Sequence, residues 1–159
     1  MTGAERESLY RLLASEYRRC VNAMSASSCD LSQVAKCSFE IYSKLLLLIE
    51  IETYGDILEN QELSLLVKDV TTSSDLPKAV LSPISSAWMT LRRVYASQFK
   101  TVSRGDLKII LNACYVSIKA IMKFYGYELG GKIPAIYPDN RCSKRTLESA
   151  IARRMKLNT

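Results

Sequence analysis

The chain has 159 residues, 48% of them hydrophobic, enough for one domain with a sizeable core and far more than a disordered chain carries. It contains no histidine, which excludes Ser-His-Asp and Cys-His nucleophilic sites, HExxH zinc sites and imidazole acid–base catalysis within the chain. The formal net charge of +6 is uneven: residues 1–91 hold 8 basic and 12 acidic side chains, net −4, and residues 92–159 hold 14 and 4, net +10.

The first ten residues, MTGAERESLY, are charged from Glu5 onward and lack an apolar leader segment. Thr2 with Glu5 three residues on forms a capping box. From there a helix is expected to run to about Met24, with Leu9, Leu12, Leu13, Tyr17, Cys20 and Met24 on one stripe and Arg6, Arg11, Arg18 and Arg19 largely off it. The polar stretch Ser25 to Ser28 ends it. Asp30 caps a second helix whose apolar positions Leu31, Val34, Ala35, Tyr42, Leu45, Leu46 and Ile49 recur at helical spacing as far as Thr53. Gly55 followed by Asp56 and Glu59 reads as a stop and a fresh start, giving a third helix over about 57–70; the pattern equally fits one long kinked helix.

Residues 71–82, TTSSDLPKAVLS, form the least structured internal segment and the expected hinge. Ser82 followed by Pro83 reads as an N-cap and a first-turn proline. The fourth helix then places Ile84, Ala87, Trp88, Leu91, Tyr95 and Phe99 inward and Arg92, Arg93 and Lys100 outward. The fifth, about 104–125, opens on a capping box of Ser103 and Asp106 and stops at Gly126. It is apolar almost all round: Leu107, Ile110, Leu111, Cys114, Ile118 and Ile121 on one side, Ala113, Val116 and Ala120 on the other. Only the strip Lys108, Asn112, Lys119 and Lys123 is left for water, so it reads as a buried central helix; three lysines argue against a bilayer span. A Gly/Pro loop follows over 126–142, allowing at most a short β bridge at Ile133 or Ile136. Last comes a basic amphipathic helix over 143–156, capped by Ser143. The expected fold is therefore all-α: a single-domain bundle of five to six helices around the central one, with no significant sheet.

Chemistry-bearing motifs are few. Gly126, Gly131 and Lys132 fit G-x4-G-K, but a helix precedes them, Ile133 stands where Ser or Thr belongs, and Pro134 follows, so the segment is a connection and not a phosphate loop. Glu50, Glu52, Asp56, Glu59 and Glu62 gather carboxylates; Glu52, Asp56 and Glu59 at i, i+4 and i+7 would suit a hard divalent cation, while a solvated helix end accounts for them as well. Cys20, Cys29, Cys37, Cys114 and Cys142 show no CxxC, and Cys20, Cys37 and Cys114 are expected as buried free thiols of a reducing compartment. No cofactor, metal or catalytic residue is expected, and the protein is not expected to be an enzyme. The longest apolar run, Leu45 to Ile49, is too short to span a membrane.

The basic residues carry the functional expectation. Arg92, Arg93, Lys100 and Arg104 group at the junction of helices four and five. Lys108, Lys119 and Lys123 continue along the polar strip, and Arg141, Lys144, Arg145, Arg153, Arg154 and Lys156 surround the last helix. Lysines and arginines on adjoining faces make a track for phosphates, with Tyr115, Tyr127 and Tyr137 as candidate stacking platforms for unpaired bases. The expected protein is a non-enzymatic subunit that binds DNA or RNA backbone within a repeated nucleoprotein assembly, nucleocapsid-like or a small ribonucleoprotein subunit. It is expected to be intracellular, or in a virion if viral, and homo-oligomeric; its short-striped last helix fits either docking on a neighbouring copy or closing its own bundle. The alternative is a helical adaptor whose basic surface meets an acidic protein, with no nucleic acid.

Overall fold

The computed structural model describes residues 2–55 and 62–137. Five helices account for most of them: α1 (Gly3–Ser25), α2 (Leu31–Tyr54), α3 (Leu63–Ser73), α4 (Lys78–Ala96) and α5 (Arg104–Tyr125). No strand occurs among the described residues, so the fold is all-α. The last helix expected over 143–156 lies outside the described residues, as do Asp56, Glu59 and the expected start of the third helix.

Local chemistry sets half of the described helix ends. Thr2 and Glu5 form the reciprocal capping box that opens α1, and Ser103 and Asp106 do the same for α5. Asp30 accepts from the Gln33 backbone N–H at 3.3 Å to start α2. Gly55 and Gly126 end α2 and α5 at φ 81° and 74°, left-handed values that cost a residue with a side chain about 1 kcal/mol or more.

Helix α4 departs from expectation. It begins at Lys78, with Pro77 rather than Ser82 at the N-cap, and Pro83 sits inside it. Pro83 cannot donate to the carbonyl of Ala79, yet Leu76, Val80, Ile84, Ala87 and Leu91 are all buried at helical spacing. Burying that continuous stripe outweighs one missing hydrogen bond, each such side chain contributing about 1.5–3 kcal/mol. The connection between α3 and α4 is thereby confined to residues 74–77, and most of the segment expected as a hinge is helical.

Tertiary packing closes a ring in which α1, α2, α3, α4 and α5 each touch the next and α5 touches α1, while α2 and α5 also pack on each other. Cross-helix pairs give the directions. Tyr10 donates to Glu52 at the far end of the α1–α2 hairpin, and Tyr17 lies against Tyr115 while Arg104 reaches Met24. Helix α1 is thus antiparallel to both α2 and α5, which run parallel side by side as a two-helix centre. The sequence marks only α5 as central, but α2 is as deeply buried along its length.

Among the described residues Arg6 Nε, Ser74 Oγ and both oxygens of Glu50 are buried without a hydrogen bond, and in Glu50 the whole carboxylate is orphaned. Glu50 on α2 is 1% exposed, and both carboxylate oxygens lack a hydrogen bond. Burial raises its pKa, and the charge of Asp69 on α3 adds to that. A raised folded-state pKa means that the penalty is absent below the ordinary carboxyl value and grows as pH rises through the raised one. Glu50→Gln is therefore expected to be more stable than the parent at neutral pH by on the order of 1 kcal/mol, with the gain vanishing toward about pH 4, as read by urea unfolding across pH. Ile118→Asp, by contrast, buries a new charge at a fully enclosed site on α5 and is expected to abolish the cooperative thermal transition.

Candidate nucleic-acid interface

The expected basic residues are dealt out to different tasks by their surroundings. Arg104 is exposed but engaged: its guanidinium donates to the carbonyls of Met24 and, at 3.2 Å, Ala26. It satisfies the orphan acceptors at the end of α1 and carries a cation to the negative end of that helix. Arg93 pairs with Asp106, bridging the last turn of α4 to the first turn of α5. That guanidinium, with the hydrogen bonds of the capping box, lowers the Asp106 pKa against the opposing effect of partial burial. Both arginines are structural in these arrangements.

Arg92, Lys100 and Lys108 are exposed and form no ion pair among the described residues. Arg92 lies in the next-to-last turn of α4, Lys100 in the connection to α5, and Lys108 in the second turn of α5. Lys119, half-buried, and Lys123, exposed, lie farther along α5, about 16 and 22 Å from Lys108 at 1.5 Å per residue. Arg141, Lys144, Arg145, Arg153, Arg154 and Lys156 are outside the described residues.

The expected stacking tyrosines are placed differently. Tyr127 is committed to the fold: its hydroxyl donates to Glu52 at 2.9 Å and its ring packs 4.8 Å from that of Tyr10. Tyr115 stacks on the fully buried Tyr17. Tyr137 is 39% exposed.

A different aromatic group occupies the basic corner. Tyr95, which periodicity places inward, is 59% exposed; its ring stacks on Phe39 of α2 at 5.5 Å and 16°, and Phe99 meets both rings edge-on at 5.9 and 6.0 Å. One face of Tyr95 is thus backed by Phe39, fixing the ring, and Arg92 lies one helical turn before it. Lys36, exposed one turn before Phe39 on α2, borders the same group. The connection that brings Phe99 back is strained: Gln98 and Phe99 both have positive φ, 55° and 62°. Each such residue costs roughly 1–2 kcal/mol, a load that proteins tend to keep where a side chain must be aimed. The only hint in the sequence is the spacing of Arg92, Tyr95, Phe99 and Lys100; the link to Phe39, 56 residues before Tyr95, is tertiary.

Of the expected carboxylate cluster only Glu50, Glu52 and Glu62 lie among the described residues. Glu52 accepts from Tyr10 and Tyr127 and lies 3.6 Å from Arg6, so it is not available for a cation, and Glu50 is buried apart from it. No group of three His, Cys, Asp or Glu residues among the described ones is placed to hold a metal. In the glycine loop the carbonyls of Leu129, Gly130 and Lys132 converge on the Arg18 guanidinium, with Nε 3.0 Å from the Lys132 oxygen. A phosphate loop presents N–H groups inward; this one presents acceptors to a cation. Ile133 and Ile136 form no bridge but bury their side chains. No described helix is long and apolar enough to cross a membrane.

The strain at the corner gives a direct check. Gln98→Gly removes the positive-φ penalty and is expected to raise stability by about 1 kcal/mol in urea unfolding. The family models, curated proteins and solved structures contain no match to this chain.

Proposed function

We propose that the chain is a non-enzymatic nucleic-acid-binding protein that grips phosphates with the basic α4–α5 corner and stacks an unpaired base on Tyr95. The observation that carries this reading is the Tyr95 ring: exposed, backed by Phe39 and Phe99, and flanked by Arg92 and Lys100. A half-exposed aromatic held flat beside cations suits a base over a phosphate chain, since every base has a π-face and every link a negative charge. Lys108, Lys119 and Lys123 extend the corner along one helix face for about 22 Å, the rise of six or so phosphates of a B-form strand.

The acidic and basic parts of the chain, net −4 and +10, further suit association of like copies, acidic part to basic part, along a polymer. On this reading the protein is a structural subunit of a nucleoprotein assembly. The alternative, an adaptor for a protein partner, is favoured by Met89, 64% exposed on α4 beside the same corner, and by exposed Leu9 and Leu12 on α1.

Binding to generic single- and double-stranded DNA and RNA across a salt series separates the two. The expected result is a sequence-tolerant affinity whose logarithm falls linearly and steeply with log salt. Tyr95→Ala should weaken single-strand binding by about 1–3 kcal/mol, and Arg92→Ala with Lys100→Ala should flatten the salt slope. No binding at low salt would rule the proposal out in favour of the adaptor. Electron microscopy of the bound sample tests for polymers.

A further inference from the structure

Helices α1 and α2 form an antiparallel hairpin across residues 26–30. Cys20 stands five residues before the end of α1 and Cys37 six residues after the start of α2, so the two thiols are carried at the same level of the hairpin. Both line a cavity of about 240 Å³ between the helices, together with Glu16, Arg19, Gln33 and Glu40. Gln33 Nε2 lies 3.9 Å from Cys37 Sγ and holds it at the cavity wall. The two cysteines are not equivalent. Cys20 is buried, whereas Cys37, expected as a core residue, is partly exposed.

The geometry points to Cys37 and Cys20 as a modification site, at which a small peptidic disulfide is reduced and a Cys20–Cys37 bond is formed across the α1–α2 hairpin. The cavity wall suits a zwitterionic reagent, because its lining includes a cation, Arg19, able to pair with a carboxylate, and two anions, Glu16 and Glu40, able to pair with an ammonium group. The accessible Cys37 thiolate attacks one sulfur of the reagent, forming a mixed disulfide and expelling the first thiolate. Cys20 sulfur then attacks Cys37 Sγ; the bond to the remaining reagent half breaks, and that half leaves as a thiolate that takes up the Cys20 proton. In sum, one reagent disulfide is reduced to two thiols and one protein dithiol is oxidised.

The order of events follows from the surroundings. Cys37 is partly exposed and meets the reagent first; Cys20 is buried, and burial, then the neighbouring Cys37, pushes its thiol up to about 12, so its sulfur attacks only as its proton passes to the leaving reagent thiolate. It lies beside Cys37, which makes it the resolving thiol once the mixed disulfide stands next to it. Such a bond would clamp α1 to α2, the pair that carries Tyr10 and Glu52 at its other end.

The test uses the reduced full chain and glutathione disulfide, with acid trapping of free thiols and peptide mass mapping over time. A glutathione adduct on Cys37 is expected first, followed by a Cys20–Cys37 cross-link lighter by two hydrogen atoms than the reduced pair. The melting temperature should rise with the cross-link and fall back on reduction. Cys20→Ser should stop at the Cys37 adduct with no rise. An adduct on Cys37 that never resolves in the parent, a first adduct on Cys20, or a cross-link joining any other pair overturns the assignment. The parent time course decides the matter even if Cys20→Ser fails to fold.

Discussion

The antiparallel seating of α1 on α5 is the constraint from which the rest of the structure follows. It is held at three levels by polar groups reaching across the interface. At one end Arg104 covers the last carbonyls of α1; in the middle Tyr17 stacks on Tyr115 and donates to the Pro134 carbonyl at 2.6 Å; at the other end Tyr10 and Tyr127 share Glu52. Each of these donors meets an acceptor that no helix satisfies, and leaving such a buried group unpaired costs about 1–3 kcal/mol. The register is therefore specified by polar groups, whereas the apolar stripes of α1 and α5 alone would tolerate a shift by one turn.

That seating also determines what the loop after α5 does. Because α1 runs antiparallel to α5, the chain leaving Gly126 travels back along α1, and Arg11 and Arg18 meet its carbonyls in turn, at Glu128 and then at residues 129–132. Gly131 is favoured here by its φ of 64°, a left-handed value that strains a residue with a side chain. A segment without helix or strand is thus tied to α1 by hydrogen bonds, and Leu129, Ile133 and Ile136 enter the core from it.

What was legible in the sequence was local. Capping boxes at Thr2 and Ser103, the Asp30 cap and the stops at Gly55 and Gly126 depend on residues within a turn of one another, and each forms in the structure. The start of α4 misled because Ser82-Pro83 is a good local start signal, and only the burial of Leu76 and Val80 against the neighbouring helices overrides it. The residues of the proposed site were harder still. Tyr95 falls on the apolar stripe by periodicity, but its ring reaches past the edge of α4 to Phe39, and nothing near Tyr95 in sequence indicates that partner. Arg93 and Arg104 look like surface cations until Asp106 and the end of α1 are brought to them.

The division between arginine and lysine narrows the phosphate track in a way that net charge cannot. A guanidinium offers several donors in a fixed plane and suits carbonyl pairs and carboxylates; an ammonium on a flexible stem stays hydrated. In the described residues Arg11, Arg18, Arg93 and Arg104 are all engaged with backbone carbonyls or carboxylates, while Lys100, Lys108 and Lys123 remain in water. Counting charges in residues 92–159 therefore overstates what the described surface can offer a polyanion. Arg19 and Arg92 are the exceptions, arginines with no ion pair among the described residues, and of these Arg92 lies one turn from the exposed Tyr95 ring. A guanidinium left open beside a braced aromatic is the combination that reads a base and its phosphate together, so the centre of any nucleic-acid contact shifts from the lysine strip of α5 to the end of α4.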